Sequence, residues 1–273
     1  MAASNLTLRL VSAAVAVPPL LALLFLGPAW AWLLFLLVVG ALPGALEVFD
    51  MAFPGDTRAK IVGVALTWTV ALALWWWPVE PRLLVTVLLV LPFVSIAFAL
   101  WRLREISVSA LQLAIATFAP VWVGVGVGSV ALARVLGGND GPAYALLCLM
   151  IAWLGDTGGY FAGRFLGKHK LFERVSPKKT VEGAIGGLVA VVLGTLAVRA
   201  TLLPSMPVRD AVVLGVVGAL LGTVGDLGES LLKRSVGVKD SGGIVPGHGG
   251  MLDRIDAVLL TAPLMLLYLV WIR

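Results

Sequence analysis

Nine stretches of roughly 20 mostly apolar residues follow one another along this chain, at about 8–27, 29–48, 60–78, 82–100, 110–133, 142–163, 181–203, 210–232 and 254–272. A helix of that length crosses the hydrocarbon layer of a bilayer. The residues are 60% hydrophobic and 13% charged, far from the roughly 45–50% apolar and 25% charged of soluble domains. The predicted fold is therefore all-α: a polytopic integral membrane protein with about nine transmembrane helices. Arg9 ahead of the first stretch resembles a signal-peptide start, but Pro18 and Pro19 interrupt the run and another apolar run follows at once. It is read as a retained helix.

Alternating the nine spans places Arg82, Arg134, Arg199, Arg209 and Arg273 on one side and the other fifteen of the 20 Lys and Arg residues on the opposite side. Basic loops mark the cytoplasmic face, so the N-terminus is expected in the cytoplasm and the C-terminus outside. A net charge of +5 then answers to topology and anionic headgroups, and nucleic acid is set aside. Cys148 is the single cysteine, which precludes an intramolecular disulfide. Two polar loops, about 164–180 and 233–253, fall on the expected cytoplasmic side. One continuous domain is expected, with residues 1–140 as transmembrane scaffold and lipid-access region and 141–273 as the catalytic region.

The stretch from Gly222 to Ala257 carries the densest set of polar groups. Asp226, Glu229, Ser230 and Lys233 fall at i, i+3, i+4 and i+7, so one helix face presents all four. Ionisable groups in a span are costly unless they pair or line a hydrated cavity. A site is one reading, and a salt bridge from Asp226 or Glu229 to Lys233 is the other. After it, VKDSGGIVPGHGG sets five glycines around Lys239, Asp240 and His248, a composition that lets backbone approach phosphate oxygens, although Walker spacing is missing. Asp253 and Asp256 stand one turn apart with Arg254 between them. Carboxylates bracketing a glycine loop favour a hard cation, Mg²⁺ or Mn²⁺. Zinc is disfavoured, because His169 and His248 lack ligand spacing.

A second constellation runs from Ile151 to Gly183. Asp156 and Tyr160 share a helix face near the end of the sixth span, and Ser176, Pro177, Lys178, Lys179 and Thr180 follow in the loop. Ser-Pro suggests a turn or helix start, and the paired lysines suit phosphates. Glu47 and Asp50, at the end of the second span, are equally consistent with a cavity or with water. Trp75, Trp76 and Trp77 read as an interfacial aromatic belt.

The segment SLLKRSVGVKDSGGIVPGHGGMLDRID, Ser230 to Asp256, resembles the signature of the phosphatidate cytidylyltransferases, and GDTGGYFAGR and SPKKTVEG resemble further family segments. Val245 and Gly228 depart from the usual pattern without touching a charge. The resemblance implies transfer of CMP from CTP to phosphatidate, with Mg²⁺ and a possible second cation as cofactors. It implies Asp226, Asp253, Asp256 and Asp156 as metal ligands, and Asp226, Asp253, Lys233 and Arg254 as the catalytic set. Substrate contacts would fall to Ser176, Lys178, Lys179, Thr180, Ser230, Arg234, Lys239, Asp240 and His248. The expected partners are CTP, phosphatidate, membrane lipids and a second copy of the chain, and the expected location is a bacterial inner membrane with the site facing the cytoplasm. A CTP-dependent lipid-alcohol kinase, a cytidylyltransferase for isoprenoid lipids and a cation-coupled transporter are the alternatives, the last having no need of the glycine-rich basic loop.

Overall fold

The computed structural model describes residues 17–103, 105–242 and 249–273. Arg9, Arg104, Val245, Pro246 and His248 lie outside the described residues. In chain order the helices are α1 (Val17–Leu26), α2 (Ala29–Ala52), α3 (Thr57–Trp75), α4 (Pro81–Trp101), α5 (Ile106–Leu136) and α6 (Gly141–Leu166). A hairpin of β1 (Lys170–Phe172) and β2 (Ser176–Thr180) precedes α7 (Val181–Thr201), α8 (Val208–Ser235), the single-turn α9 (Leu252–Ile255) and α10 (Val258–Trp271). The protein is an all-α polytopic membrane protein, with seven helices among the described residues long and apolar enough to span. The first and ninth expected spans are represented by two shorter apolar helices, α1 and α10. The ninth is shortened at its start, where Asp256 and Ala257 form a turn between α9 and α10.

Local chemistry explains several boundaries. Asp56 caps α3, its Oδ1 accepting from the N–H groups of Arg58 and Ala59 at 3.1 and 3.2 Å, and its other oxygen pairs with Arg102 at the far end of α4. The caps of two neighbouring helices are thus fixed at one membrane face. In α2 a π turn at Leu37–Ala41 immediately precedes Pro43, whose ring cannot continue a regular i−4 ladder. One added residue rotates the rest of the helix by about 100°, and the rotated part carries Glu47.

Small residues draw the helices together, as lipid-embedded packing requires. A Cβ added to Gly187 on α7 would lie 2.8 Å from the Gly155 carbonyl oxygen on α6, and one on Gly183 would lie 2.9 Å from that of Gly159. The α6–α7 pair therefore packs backbone to backbone. Gly225 plays the same part for α8, since its Cβ would come 2.6 Å from the Asp256 carbonyl oxygen. One buried cluster gathers α6, α8 and α10 around Tyr144, Leu147 and Ile151. The other joins α2, α3 and α5 around Phe49, Val123 and Ala131, and Leu252 and Leu259 extend it toward the C-terminal helices.

The hairpin departs from the turn or helix start expected at Ser176. The strands pair antiparallel, with Lys170 opposite Thr180 and Phe172 opposite Ser176. Glu182, in the first turn of α7, holds its base by accepting from the N–H groups of Lys168 and His169 at 3.0 and 3.2 Å. Thr180 caps α7 through the Gly183 N–H at 3.1 Å. Lys178 and Lys179 are thereby delivered to the mouth of the α6–α7 groove.

Candidate active site

Between α6, α7, α8 and the hairpin lies a cavity of about 380 Å³. Glycines 155, 159, 163, 183 and 187 form its apolar wall, and Asp156, Tyr160, Arg164, Lys178, Lys179, Thr180 and Asp226 supply its polar groups. The missing side chains along the α6–α7 seam make the room. Depth follows from α8: Arg209 and Asp210 mark its start, a span takes about 20 residues, and so Asp226 and Glu229 fall in its last turns, close to the interface.

The carboxylates are not scattered. Oxygens of Asp226, Glu229 and Asp256 lie within 4.8 Å of one another, with Asp156 on the wall of the same cavity. Lys179 pairs with Asp226, and the Ser230 hydroxyl reaches Asp226 Oδ1 at 3.5 Å. Asp256 is buried and its Oδ1 accepts from the Ala257 N–H at 2.6 Å. Glu229 is 1% exposed, and its Oε1 has no hydrogen-bond partner among the described residues. A buried, unpartnered carboxylate oxygen beside two other carboxylates is unfavourable by itself and suits a cation. Three oxygen donors fit a hard divalent ion such as Mg²⁺.

A second group begins at the other oxygen of Glu229. Lys233, 7% exposed, pairs with Glu229 Oε2 at 2.5 Å and with Asp253. Of the two readings of this face, the salt bridge is present, from Lys233 to Glu229, and it adjoins a carboxylate cluster. Asp253 also accepts from the Ser241 N–H at 3.2 Å, the Ser241 hydroxyl at 3.0 Å and the Gly250 N–H at 2.9 Å. Burial pushes the Asp253 carboxyl upward, but Lys233, Glu229 and the Gly250 N–H outweigh it and hold the group at about 2. Asp253 is therefore an anion pinned to the loop, one step removed from the Asp226–Glu229–Asp256 group.

The remaining residues divide. Ser176, Lys178, Lys179 and Thr180 come to the cavity on β2 or directly beside its lining. Arg234 instead braces the hairpin, with Nε donating to the Val175 carbonyl at 3.4 Å and Nη1 to that of Val238 at 3.0 Å. Lys239 and Asp240, ahead of α9, and Arg254, within it, are exposed. Glu229 was legible only as part of a polar face, and its spacing of three from Asp226 was the signal that could have placed it among the candidate ligands. Glu47 is buried and bonded to the Ser241–Leu252 segment, whereas Asp50 is exposed and pairs with Lys60 at 2.6 Å.

The family model described as "Cytidylyltransferase family" matches residues 7–272. A phosphatidate cytidylyltransferase of Staphylococcus epidermidis is 42% identical over 132 residues, 48% of this chain and 51% of that protein. One from Staphylococcus aureus (strain COL) is 44% identical over 132 residues with the same coverage, and one from Staphylococcus saprophyticus 41% identical over 134 residues, 49% of this chain and 52% of that protein. The chain spans about half the length of the curated relatives it matches.

Proposed function

Because the chain belongs to the cytidylyltransferase family, we propose that it transfers CMP from CTP to phosphatidate, giving CDP-diacylglycerol and pyrophosphate. The observation that carries this reading is Asp226, which lines the cavity paired with Lys179 and whose carboxylate lies against those of Glu229 and Asp256. Opposite charges on one wall suit a triphosphate accompanied by its cation.

In the reaction, an oxygen of the phosphatidate phosphate attacks the α-phosphorus of CTP, and the bond from that phosphorus to the bridging oxygen of pyrophosphate breaks. No strong general base is needed, since the nucleophile is already anionic. Asp226, Glu229 and Asp256 would hold a divalent cation, which supplies charge neutralisation for the triphosphate. Lys178 and Lys179 bind phosphate oxygens from the hairpin side, with Ser176 and Thr180 adding hydroxyls. Lys233 keeps Asp253 and Glu229 apart and oriented, so that the anionic wall stays in place before substrate arrives. The glycine seam leaves an apolar flank along which lipid tails can remain in hydrocarbon while the headgroup reaches the lysines.

The excess of basic residues in the loops on this side supports a cytoplasmic site with a cytoplasmic N-terminus, and the staphylococcal relatives favour a bacterial plasma membrane. A second copy of the chain remains a further proposed partner. The test is purified enzyme in phosphatidate-containing micelles with tritiated CTP and Mg²⁺. Label should enter the lipid phase, and Asp226→Asn or EDTA should abolish it; unlabelled lipid from the wild type contradicts the proposal.

A further inference from the structure

One carboxylate of the first half of the chain reaches the loop of the second. Glu47, on α2, is 4% exposed and touches both ends of the stretch from Ser241 to Leu252. Its Oε2 accepts from the Ser241 hydroxyl at 2.9 Å and from the Leu252 N–H at 2.8 Å. Its Oε1 accepts from the Met251 N–H at 2.9 Å. The neighbouring glycines are shaped around it: a Cβ on Gly242 would come 2.7 Å from Oε1, and one on Gly250 would overlap both Glu47 and Ser241.

Among the described residues this carboxylate bonds to Ser241, Met251 and Leu252, none of which lines the cavity, so it acts through others. The Ser241 hydroxyl lies between Glu47 and Asp253 with a single proton to share, and the Ser241 N–H donates to Asp253 in either case. Asp253 in turn holds Lys233, and Lys233 holds Glu229. A continuous chain of hydrogen bonds therefore runs from α2 through the loop to the carboxylate cluster. An apolar residue would anchor α2 in this core at least as well, whereas a buried carboxylate is tolerable only when its oxygens are satisfied. The loop backbone satisfies them.

We infer that Glu47 is a positioning residue for the transfer reaction: it closes both ends of the Ser241–Leu252 stretch and so sets Asp253 against Lys233 and Glu229. The inference rests on the cytidylyl-transfer reading above. A glutamine at this position offers one acceptor oxygen in place of two and turns an N–H₂ toward backbone donors, so the shape survives and the clamp does not.

The test uses the full chain in detergent, as wild type, Glu47→Gln and Ser241→Ala. Amide hydrogen exchange of the peptide covering Gly249–Leu252 is measured together with kcat and KM per folded molecule. Glu47→Gln should retain helix content, speed exchange of that peptide tenfold or more, and lower kcat at least tenfold while the KM for phosphatidate stays within twofold. Ser241→Ala removes one bond of the three, so a smaller change of the same kind is expected, and it carries the test if Glu47→Gln does not fold. Exchange at the wild-type rate, or a kcat per folded molecule within twofold of wild type, overturns the inference. Should wild type itself transfer no CMP, the functional reading fails, while the exchange rates still decide whether Glu47 clamps the loop.

Discussion

Removing the charge of Lys233 separates its structural contribution from that of Lys179. Lys233 is 7% exposed and sits between Glu229, at 1%, and Asp253. In Lys233→Met the methionine refills most of the volume, but two carboxylates face each other without their cation. Breaking a buried pair by deleting one partner costs about 3–5 kcal/mol. The Ser241 and Gly250 N–H groups that remain on Asp253 relieve part of this, which favours the lower figure of about 3 kcal/mol. At roughly 2–4 °C per kcal/mol for a chain of this size, the unfolding midpoint falls by about 6–12 °C.

Lys179 offers the contrast. Its side chain and that of Asp226 are 25% and 27% exposed, so water screens the pair and its loss costs about 1 kcal/mol or less. Lys179→Met should unfold within about 4 °C of wild type yet transfer CMP on the order of 100-fold more slowly, as removal of a preorganised phosphate contact does. The assay is thermal unfolding of the detergent-purified variants by tryptophan fluorescence, with transfer rates measured well below both midpoints. Equal midpoint shifts for the two lysines, or Lys233→Met unfolding with wild type, would refute the assignment of Lys233 as the cation of the buried network.

Other perturbations test separate parts of the site. Glu229→Gln removes one charge from the Asp226–Glu229–Asp256 group, so the Mg²⁺ concentration for half-maximal transfer should rise tenfold or more in a metal titration. Gly187→Ala drives a methyl to 2.8 Å from the Gly155 carbonyl oxygen; overpacking of this kind costs about 1–3 kcal/mol, and both the midpoint and the transfer rate should fall. Glu182→Gln leaves the N–H groups of Lys168 and His169 with a weaker acceptor, and trypsin should then cut within the hairpin faster than in wild type.

Apolar length made the long spans readable, because the bilayer demands one number of residues from every crossing helix. Chain-local spacing likewise exposed the face of Asp226, Glu229, Ser230 and Lys233. The hairpin was harder to see, since Ser-Pro-Lys-Lys-Thr has little strand character and the base of the hairpin, at Lys168 and His169, is held by Glu182 from the following helix. Glu47 was out of reach for a different reason. Its partner Ser241 is 194 residues away, and only the packing of α2 against the C-terminal helices brings the two together. The division of labour between Asp253 and Glu229 was hidden in the same way: spacing placed both near the site, but the Ser241 and Gly250 N–H groups pin Asp253 to the loop while Glu229 lies with Asp226 and Asp256.

Cytidylyl transfer is tested most directly by following each phosphorus of CTP separately. Enzyme in phosphatidate micelles is given CTP labelled either at the α-phosphate or at the γ-phosphate, and the lipid and aqueous phases are counted. The account predicts α-label in the lipid and γ-label in water-soluble pyrophosphate, with both transfers lost in Asp226→Asn. Appearance of γ-label in lipid would contradict it and identify phosphorylation of a lipid alcohol at the same cavity.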